Sequence, residues 1–359
     1  MLRTGRVRVR GSIAPRDVEK MSSKENLGRT RILGLGHYVP PRVVTNRDLT
    51  RLMDTTEEWI EQRTGIRERH FVDRSLGPAD LGLLAARDAL AAADTDAGEL
   101  DLILLGTLSP DIDFPASACL LQRGLGTRGM PAFDVRNQCS GFLYGLAIAD
   151  KFVRSGAARR VLLVGSEVHS SGIDLTTRGR EVAVIFGDGA GAAVLGPEQR
   201  PGRGILSTHL HAEGKYAKKL WVEPPSSVAA PRIDEDMVSG EGGRLFPKME
   251  GRYVFRHAVT RFPEVIREAL AANGLGVADI DLFIPHQANL RISQMVAASL
   301  ELPEEKMFNN IDRYGNTTAG SVPIALHEAL EAKRVTPGAL VCLAAFGSGF
   351  TWASALIRW

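Results

Sequence analysis

The chain has 359 residues, of which 44% are hydrophobic and 24% are charged, so it can bury one large core or two fused ones. No apolar stretch reaches the roughly 18 residues that a membrane-spanning helix needs. The net charge of +2 is weak evidence for a nucleic-acid-binding surface, and we expect neither membrane insertion nor a nucleic-acid partner.

The chain has three cysteines without the paired spacing of a disulfide or metal framework, and no secretory signal precedes them. This pattern indicates free thiols in a reducing compartment, so we expect a cytoplasmic protein. Cys119 and Cys342 lie in apolar runs, and we expect both to fill the core.

The first 28 residues differ in composition from the rest of the chain. Residues 1–20 contain six basic side chains and two acidic ones, and periodicity that could support packing begins only near Thr30. We expect residues 1–28 to form a basic, disordered extension. The alternative interpretations are a targeting or membrane-surface tail, or a translation start at Met21.

Beyond this extension, helical patterns alternate with short apolar strands. A helical pattern ends near residue 92, and apolar runs follow at 102–105 and 161–164. Such continuous runs are typical of strands buried on both faces, and their alternation with helices indicates parallel crossovers. Residues 211–248 interrupt the pattern with proline- and glycine-rich segments that predict surface loops.

Segments that are 180 residues apart match each other. The pairs are 87–92 with 267–272, 100–102 with 280–282, and 161–163 with 341–343. A constant offset indicates two structurally equivalent halves, and coincidence among Ala- and Leu-rich helices is the alternative. We therefore predict an α/β protein with an α/β/α/β/α layered core, built from the halves 29–200 and 201–359.

Cys139 lies where a short apolar strand ends and a long helical pattern begins. Unpaired N–H groups and the helix dipole at such a position favour an anion, which predicts a lowered thiol pKa. The repeat places Ala319 opposite Cys139 and His286 opposite Gly106, and Asn316 lies just before Ala319. We therefore expect the thiol, the imidazole and the carboxamide to meet beyond the carboxyl ends of strands.

A thiol, an imidazole and a carboxamide suit acyl transfer. The thiolate can attack a thioester and hold the acyl group, while imidazole and amide N–H groups stabilise an enolate oxygen. Thiol proteases combine the same three groups, with the histidine as base. Each residue alone also fits a structural role, as a buried cysteine, a core histidine or a turn asparagine.

Several segments together resemble the β-ketoacyl-acyl-carrier-protein synthase III family of thiolase-like condensing enzymes, from about Arg31 to the C-terminus. The segments are FDVRNQCSGF around Cys139, PHQANLRI around His286, GNT around Asn316, residues 54–66, and the glycine-rich runs 186–192 and 345–352. The resemblance implies the thiolase fold, in agreement with the duplicated halves.

The resemblance also implies an acyltransferase that initiates fatty-acid synthesis by decarboxylative condensation. Cys139 takes an acyl group from acyl-CoA, and His286 and Asn316 assist decarboxylation of malonyl-acyl carrier protein, whose carbanion attacks the acyl-cysteine. Backbone N–H groups of Cys139 and Ser348 form the oxyanion hole. No metal or other cofactor is implied, because the thioester already activates the carbonyl.

Binding roles follow from the same resemblance. The residues implied to hold coenzyme A are Thr55, Trp59, Arg63, Arg178 and Asn289. The implied carrier-protein surface comprises Gln287, Ala288, Asn289, Leu290, Arg291, Arg252 and Arg256. Phe114 matches a position that closes the acyl pocket, often across a homodimer interface. The other interpretations are that the tryptophan lies on the core face of its helix and that the arginines form a solvated surface.

Three features depart from the family pattern. Arg136-Asn137-Gln138 precedes the nucleophile where many members have small residues. This tripeptide favours an alternative interpretation, in which the chain is a related condensing or acyl-transfer enzyme of specialised metabolism, such as an alkylquinolone-like branch. Ser348 stands where the family usually has glycine, although its backbone N–H is kept. The helix after Arg291 has no further basic residue, which leaves open whether malonyl-carrier protein or malonyl-CoA is the extender.

Overall fold

The computed structural model describes residues 28–73, 75–223, 225–239 and 243–359. Of the extension expected at 1–28, only Gly28 lies within these ranges. Across the described ranges, no helix combines the length and the apolar character that crossing a bilayer requires.

The described residues of the first part of the chain contain seven strands and six helices. The strands are β1 (Arg29–Tyr38), β2 (Arg42–Thr45), β3 (Glu68–Phe71), β4 (Leu102–Gly106), β5 (Ala132–Val135), β6 (Val161–Glu167) and β7 (Gly189–Glu198). The helices are α1 (Asn46–Leu49), α2 (Glu57–Thr64), α3 (Pro78–Ala92), α4 (Ser117–Gly124), α5 (Gly141–Arg154) and α6 (Arg180–Ala183).

Within the ranges given above, the second part contains six strands and five helices. The strands are β8 (Gly204–Ala212), β9 (Leu220–Trp221), β10 (Lys248–Met249), β11 (Leu282–Pro285), β12 (Leu340–Gly347) and β13 (Thr351–Arg358). The helices are α7 (Glu235–Ser239), α8 (Gly251–Ala272), α9 (Leu290–Ser299), α10 (Ile311–Tyr314) and α11 (Ser321–Glu331).

Two main sheets repeat the same topology. The first has the order β1-β7-β6-β4-β5 and the second the order β8-β13-β12-β11, with β4–β6 and β11–β12 parallel. The register repeats as well, because Leu102 pairs with Val161 and Leu282 pairs with Val341. The position of β5 is taken in the second sheet by a single parallel bridge between Phe283 and Met307.

The helices and sheets form five layers. The central apolar cluster joins residues of both sheets to α5 and α11, such as Leu104, Leu146, Leu326 and Leu343. A second cluster packs α3 against the outer face of the first sheet, and a third packs α8 and α9 against the second sheet. The α/β/α/β/α core and the duplication expected from the repeat are confirmed, whereas the division at residue 200 stays a prediction about domains.

The structure adds regular elements within residues 211–248 and corrects the expectation for Cys119. β8 ends at Ala212, a 3₁₀ helix follows at Gly214–Lys219, and β9 and β10 pair as a small antiparallel ribbon. Of the segments predicted to be surface loops, residues 224 and 240–242 lie outside the described ranges. Cys342 is fully buried as expected, but Cys119 is only partly buried. Its helix packs against β5, the edge strand of the first sheet.

The halves approach each other most closely where β6 meets the 3₁₀ turn Thr318–Gly320. A Cβ atom on Gly165 would lie 2.2 Å from the backbone oxygen of Ala319, so only glycine fits there. We expect Gly165→Ala to lower the free energy of unfolding by about 1–3 kcal/mol, because backbone on both sides must move.

Thermal unfolding of the variant, compared with the matched control Gly98→Ala, measures this effect. A Cβ atom on Gly98 would meet nothing within 4 Å, so the control should have the same melting temperature as the wild type. Equal melting temperatures for the two variants would show that the approach of the two halves is not sterically limited.

Candidate active site

Two matching turns bring the first site residues together. Cys139 lies in the 3₁₀ turn Gln138–Ser140, and Thr318–Gly320 is the equivalent turn of the second half. Gln138 and Thr318, which are 180 positions apart, both have left-handed backbones, with φ of 45° and 49°. This conformation reverses the chain sharply, so that the next residue is presented at the start of the following helix.

The other two residues come from the second half. His286 follows the last residue of β11, and its backbone N–H donates to the carbonyl of Ala344. Asn316 is held against the first half, because its backbone N–H donates to the Ile185 carbonyl and its carbonyl accepts from the Gly187 N–H. The three residues predicted from the repeat therefore meet across the two halves.

Cys139, His286 and Asn316 line one cavity of about 490 Å³. Its wall also includes the polar side chains of Arg63, Arg252, Asn289 and Arg291, together with Trp59 and Ala288. Its apolar wall includes Leu220, Met249, Phe255, Ala258, Phe262 and Phe346. An apolar cleft with a few converging polar groups is the usual form of a small-molecule site.

His286 is oriented as a neutral hydrogen-bond donor. Its Nδ1 lies 2.6 Å from Ser321 Oγ, and that oxygen lies 3.4 Å from the backbone N of Gln287. A hydroxyl that accepts from this N–H has its own proton to donate to Nδ1, which places the imidazole proton on Nε2. Nε2 is buried and has no hydrogen-bond partner among the described residues. Burial, with a smaller contribution from His169, lowers the pKa of His286 to about 3.

Asn316 offers a second donor. Its Oδ1 accepts from the backbone N–H of Thr318 at 2.8 Å, so the amide NH₂ is on the opposite side. The hydroxyl of Thr318 in turn lies 2.5 Å from Nε2 of His169, a buried imidazole that packs against Phe186. This chain of contacts fixes the orientation of the Asn316 amide.

The thiol of Cys139 does not have the lowered pKa that its position predicted. Burial, with a smaller contribution from the carboxylate of Glu167, raises its pKa to about 12, while the backbone N–H groups of Cys139 and Ser348 act in the lowering direction. The helix dipole amounts to about half a charge, and it does not offset the loss of solvent around a buried thiolate. In the ligand-free protein the sulfur is therefore a neutral thiol.

The turn after β12 completes the surroundings of the sulfur. A Cβ atom on Gly347 would lie 2.6 Å from Cβ and 2.9 Å from Sγ of Cys139, so glycine is required by the close approach. Ser348, in contrast, does not have a positive φ, and its hydroxyl donates to the carbonyl of Leu220 in the small ribbon. The serine that departs from the family pattern therefore keeps its backbone N–H at the site without strain.

Three of the residues expected to bind coenzyme A lie together at the cavity. The Arg63 guanidinium lies 4.8 Å from the centre of the Trp59 ring, and Asn289 Nδ2 donates to the Arg63 carbonyl. The sequence missed Arg180, whose guanidinium lies 5.5 Å from the same ring. Its only signal is its position at the start of a short helix, two residues after Arg178.

The structure does not bring Thr55 or Arg178 to the cavity wall. Arg178 donates to Asp174 at 2.6 Å and lies over the ring of Phe246, while the hydroxyl of Thr55 is buried. Their assignment to coenzyme A binding stays a prediction. Phe114 is also outside the cavity of the single chain, because 79% of it is exposed. Its expected role in closing an acyl pocket stays a prediction.

The residues expected to contact a carrier protein divide into two groups. The prediction that Gln287 lies on the carrier-protein surface is wrong, because its side chain is buried. Its Nε2 donates to the Pro285 carbonyl, and its Oε1 accepts from the Asn310 N–H. Leu290 is partly buried against Gly65. The exposed cations Arg252, Arg256 and Arg291 are near the cavity on α8 and α9, and none has an ion-pair partner within the described ranges.

A buried carboxylate next to the site was not predicted. Glu167 ends β6 and accepts hydrogen bonds from Thr107, Ser109 and the backbone N–H of Leu108. Burial raises its pKa to about 7. It holds the loop after β4 close to Cys139, and a glutamate at the end of an apolar strand is the only sequence signal that points to it.

Comparison with known proteins agrees with this geometry. Residues 133–214 and 270–359 match the family models for 3-oxoacyl-[acyl-carrier-protein] synthase III and for its C-terminal part. A β-ketoacyl-[acyl-carrier-protein] synthase III of Xanthomonas campestris pv. campestris is 48% identical over 92% of this chain and 98% of its own length.

Solved structures agree as well. The 3-oxoacyl-[acyl-carrier-protein] synthase III of Aquifex aeolicus superposes with a TM-score of 0.83 and 41% identity, covering 92% of this chain and all of that one. The priming β-ketosynthase of the R1128 polyketide biosynthetic pathway superposes with a TM-score of 0.82 and 35% identity, covering 92% and 97%.

The raised pKa of Cys139 has a measurable consequence. The fraction of thiolate should rise about tenfold per pH unit from pH 7 to pH 9, since the pKa of about 12 lies above this range. The rate at which iodoacetamide alkylates Cys139, measured by mass spectrometry of the peptide that contains it, should rise in the same way. A plateau below pH 8 would contradict the raised pKa, and the Cys139→Ser variant controls for assignment of the peptide.

Proposed function

The chain belongs to the 3-oxoacyl-[acyl-carrier-protein] synthase III family, and from this premise we propose that its cavity condenses an acyl-CoA primer with malonyl-acyl carrier protein to initiate fatty-acid synthesis. One observation carries the proposal. A thiol, an unpartnered imidazole Nε2 and an amide NH₂ share a single cavity that also contains an arginine–tryptophan pair.

The first proposed step is acylation of Cys139. Sγ attacks the thioester carbonyl of acyl-CoA, a new carbon–sulfur bond forms, and the coenzyme A thiolate leaves with the proton of the cysteine. The backbone N–H groups of Cys139 and Ser348 stabilise the oxyanion, because both interact with the sulfur, next to which the carbonyl oxygen becomes negative. The buried thiol loses its proton as the bond forms, which agrees with its raised pKa.

The second proposed step is decarboxylation of the malonyl group. The bond to the carboxylate breaks, carbon dioxide leaves, and the electron pair becomes an enolate. His286 Nε2–H and the amide of Asn316 donate to the enolate oxygen, a role that suits a neutral imidazole whose proton is held on Nε2 by Ser321. The carbanion then attacks the acyl-cysteine, releasing the 3-oxoacyl product and the thiolate. This chemistry uses no metal or redox cofactor, because the thioester activates the carbonyl.

The binding surfaces follow from the cavity wall. We propose that Trp59 and Arg63 hold the adenine of coenzyme A by stacking, with Asn289 tying their helix to α9. The exposed arginines of α8 and α9 match the acidic surface of an acyl carrier protein. We also propose a cytoplasmic homodimer, in which the exposed ring of Phe114 closes the acyl pocket of the partner.

A related enzyme of specialised metabolism is the second candidate. It is favoured by Arg136-Asn137-Gln138, and by the similarity to the priming β-ketosynthase of a polyketide pathway. However, none of these three residues lines the cavity. They shape the turn before the nucleophile through the left-handed backbone of Gln138, so they give no direct selection of the primer.

Intact-mass spectrometry tests the proposed function. Incubation with a panel of acyl-CoAs should add one acyl group to the wild type and to Cys119→Ser, a thiol outside the cavity, but none to Cys139→Ser. Malonyl-carrier protein should then discharge the adduct. An unmodified mass with every acyl-CoA would refute the proposal, and discharge by malonyl-CoA but not by malonyl-carrier protein would favour the second candidate.

Removal of the imidazole should separate the two steps. We expect the His286→Ala variant still to be acylated at Cys139. The rate at which it decarboxylates the malonyl thioester should fall by about 10²–10³-fold, because only the second step needs the Nε2 donor. Carbon dioxide release measures the loss. His211→Ala, a histidine outside the cavity, is the matched control. Loss of acylation in His286→Ala would refute this division of roles.

A further inference from the structure

A second cluster of reactive side chains lies away from the cavity. His37 near the end of β1 meets His327 and Glu331 near the end of α11, and one ligand atom from each lies within 4.8 Å of the others. The two imidazoles are partly buried, and the Glu331 carboxylate is exposed. None of the three lines the proposed active site.

We propose that His37, His327 and Glu331 bind one divalent transition-metal ion, for which Zn²⁺ is the best match. Imidazole nitrogen and carboxylate oxygen are the ligands that suit Zn²⁺, whereas Mg²⁺ and Ca²⁺ prefer oxygen alone. Three protein ligands leave the fourth tetrahedral position to water. No metal was expected from the family resemblance, because the thioester activates the carbonyl. The two histidines are 290 positions apart, so no spacing motif points to them.

The backbone already holds the ligands in place. His327 and Glu331 are four residues apart on α11, so both side chains lie on one face of the helix, with 3.9 Å between Nδ1 and Oε2. His37 belongs to a strand paired along its length with β7, and α11 packs on both strands. Ligands from two rigid elements need little reorganisation before binding.

The present contact between the imidazoles fits displacement of a proton by a metal. The two Nδ1 atoms are 2.6 Å apart and share one proton. Two nitrogens on one tetrahedral Zn²⁺ are about 3.3 Å apart at Zn–N distances of about 2.05 Å, so the rings must separate by less than 1 Å. The shared proton then goes to solvent, as binding to neutral imidazoles requires.

Neighbouring carboxylates add negative charge without crowding the site. Glu328 acts on His37 electrostatically, but its oxygens are already bound by Arg313, Tyr314 and Asn310. It is therefore an outer group that favours a cation. The other nearby carboxylate is Asp88 on α3.

The position of the site suggests what a bound metal does. β1 belongs to the first sheet and α11 to the second half of the repeat, so the metal would join the two halves. The first residue of α11 is Ser321, which holds His286. We infer a structural ion that stabilises the helix behind the site, independently of whether the proposed condensation is correct.

Zn²⁺ titration of the full chain tests the site directly. The protein, without an affinity tag, is treated with a chelator, dialysed, and titrated with Zn²⁺ against a chromophoric competitor. We expect one tight equivalent per chain, and binding roughly tenfold or more weaker in His37→Gln, His327→Gln and Glu331→Gln. Zn²⁺ should also raise the melting temperature of the wild type but not that of His327→Gln.

Two control variants distinguish this site from other ligands. His211→Gln removes a histidine that contacts the exposed Glu268, and Cys139→Ser removes the cavity thiol. Both should bind Zn²⁺ as the wild type does. Glu331→Gln changes an exposed side chain, so it keeps the test valid if a histidine variant fails to fold. If the wild type binds Zn²⁺ no more tightly than the three ligand variants do, the proposal is overturned. The contact between His37 and His327 is then only a hydrogen bond.

Discussion

The site depends on the close approach of two equivalent turns, one from each half. The turns Gln138–Ser140 and Thr318–Gly320 contact each other, the adjacent Gly165 leaves no room for a Cβ atom beside the Ala319 carbonyl, and the backbone of Asn316 pairs with residues 185–187. Because the two turns pack directly against each other, groups that are far apart in the chain meet at one cavity. Any side chain larger than hydrogen at this contact would separate Cys139 from the donors of the second half.

Burial, rather than charge, sets the chemistry of that cavity. The same loss of solvent raises the pKa of Cys139 and lowers that of His286, so both groups are neutral in the ligand-free protein. A neutral imidazole with its proton on Nε2, next to an amide held by Thr318, is suited to stabilise negative charge that develops only during reaction. The low dielectric strengthens these donors at the moment when the enolate forms.

Some features of the site could be predicted from the sequence, and others could not. The duplication of the α/β halves, the meeting of Cys139 with its two partners, and the placement of Trp59 with Arg63 could be predicted from repeat and motif. The buried position of Gln287 could not, because a polar residue in a motif says nothing about which way its side chain points. The prediction of a lowered pKa for the Cys139 thiol was wrong for a similar reason. A helix start can be recognised in the sequence, but the depth at which it is buried cannot.

The sequence by itself determined the duplicated α/β architecture and singled out the three polar groups that meet at the cavity, because apolar periodicity and local motifs are properties of neighbouring residues. Only the tertiary structure decided how those groups are held: the tautomer of His286 through Ser321, the second arginine on Trp59 and the exposure of Phe114. It alone also brought His37 to His327 across 290 positions. Each of these depends on contacts between distant segments, which no local pattern encodes.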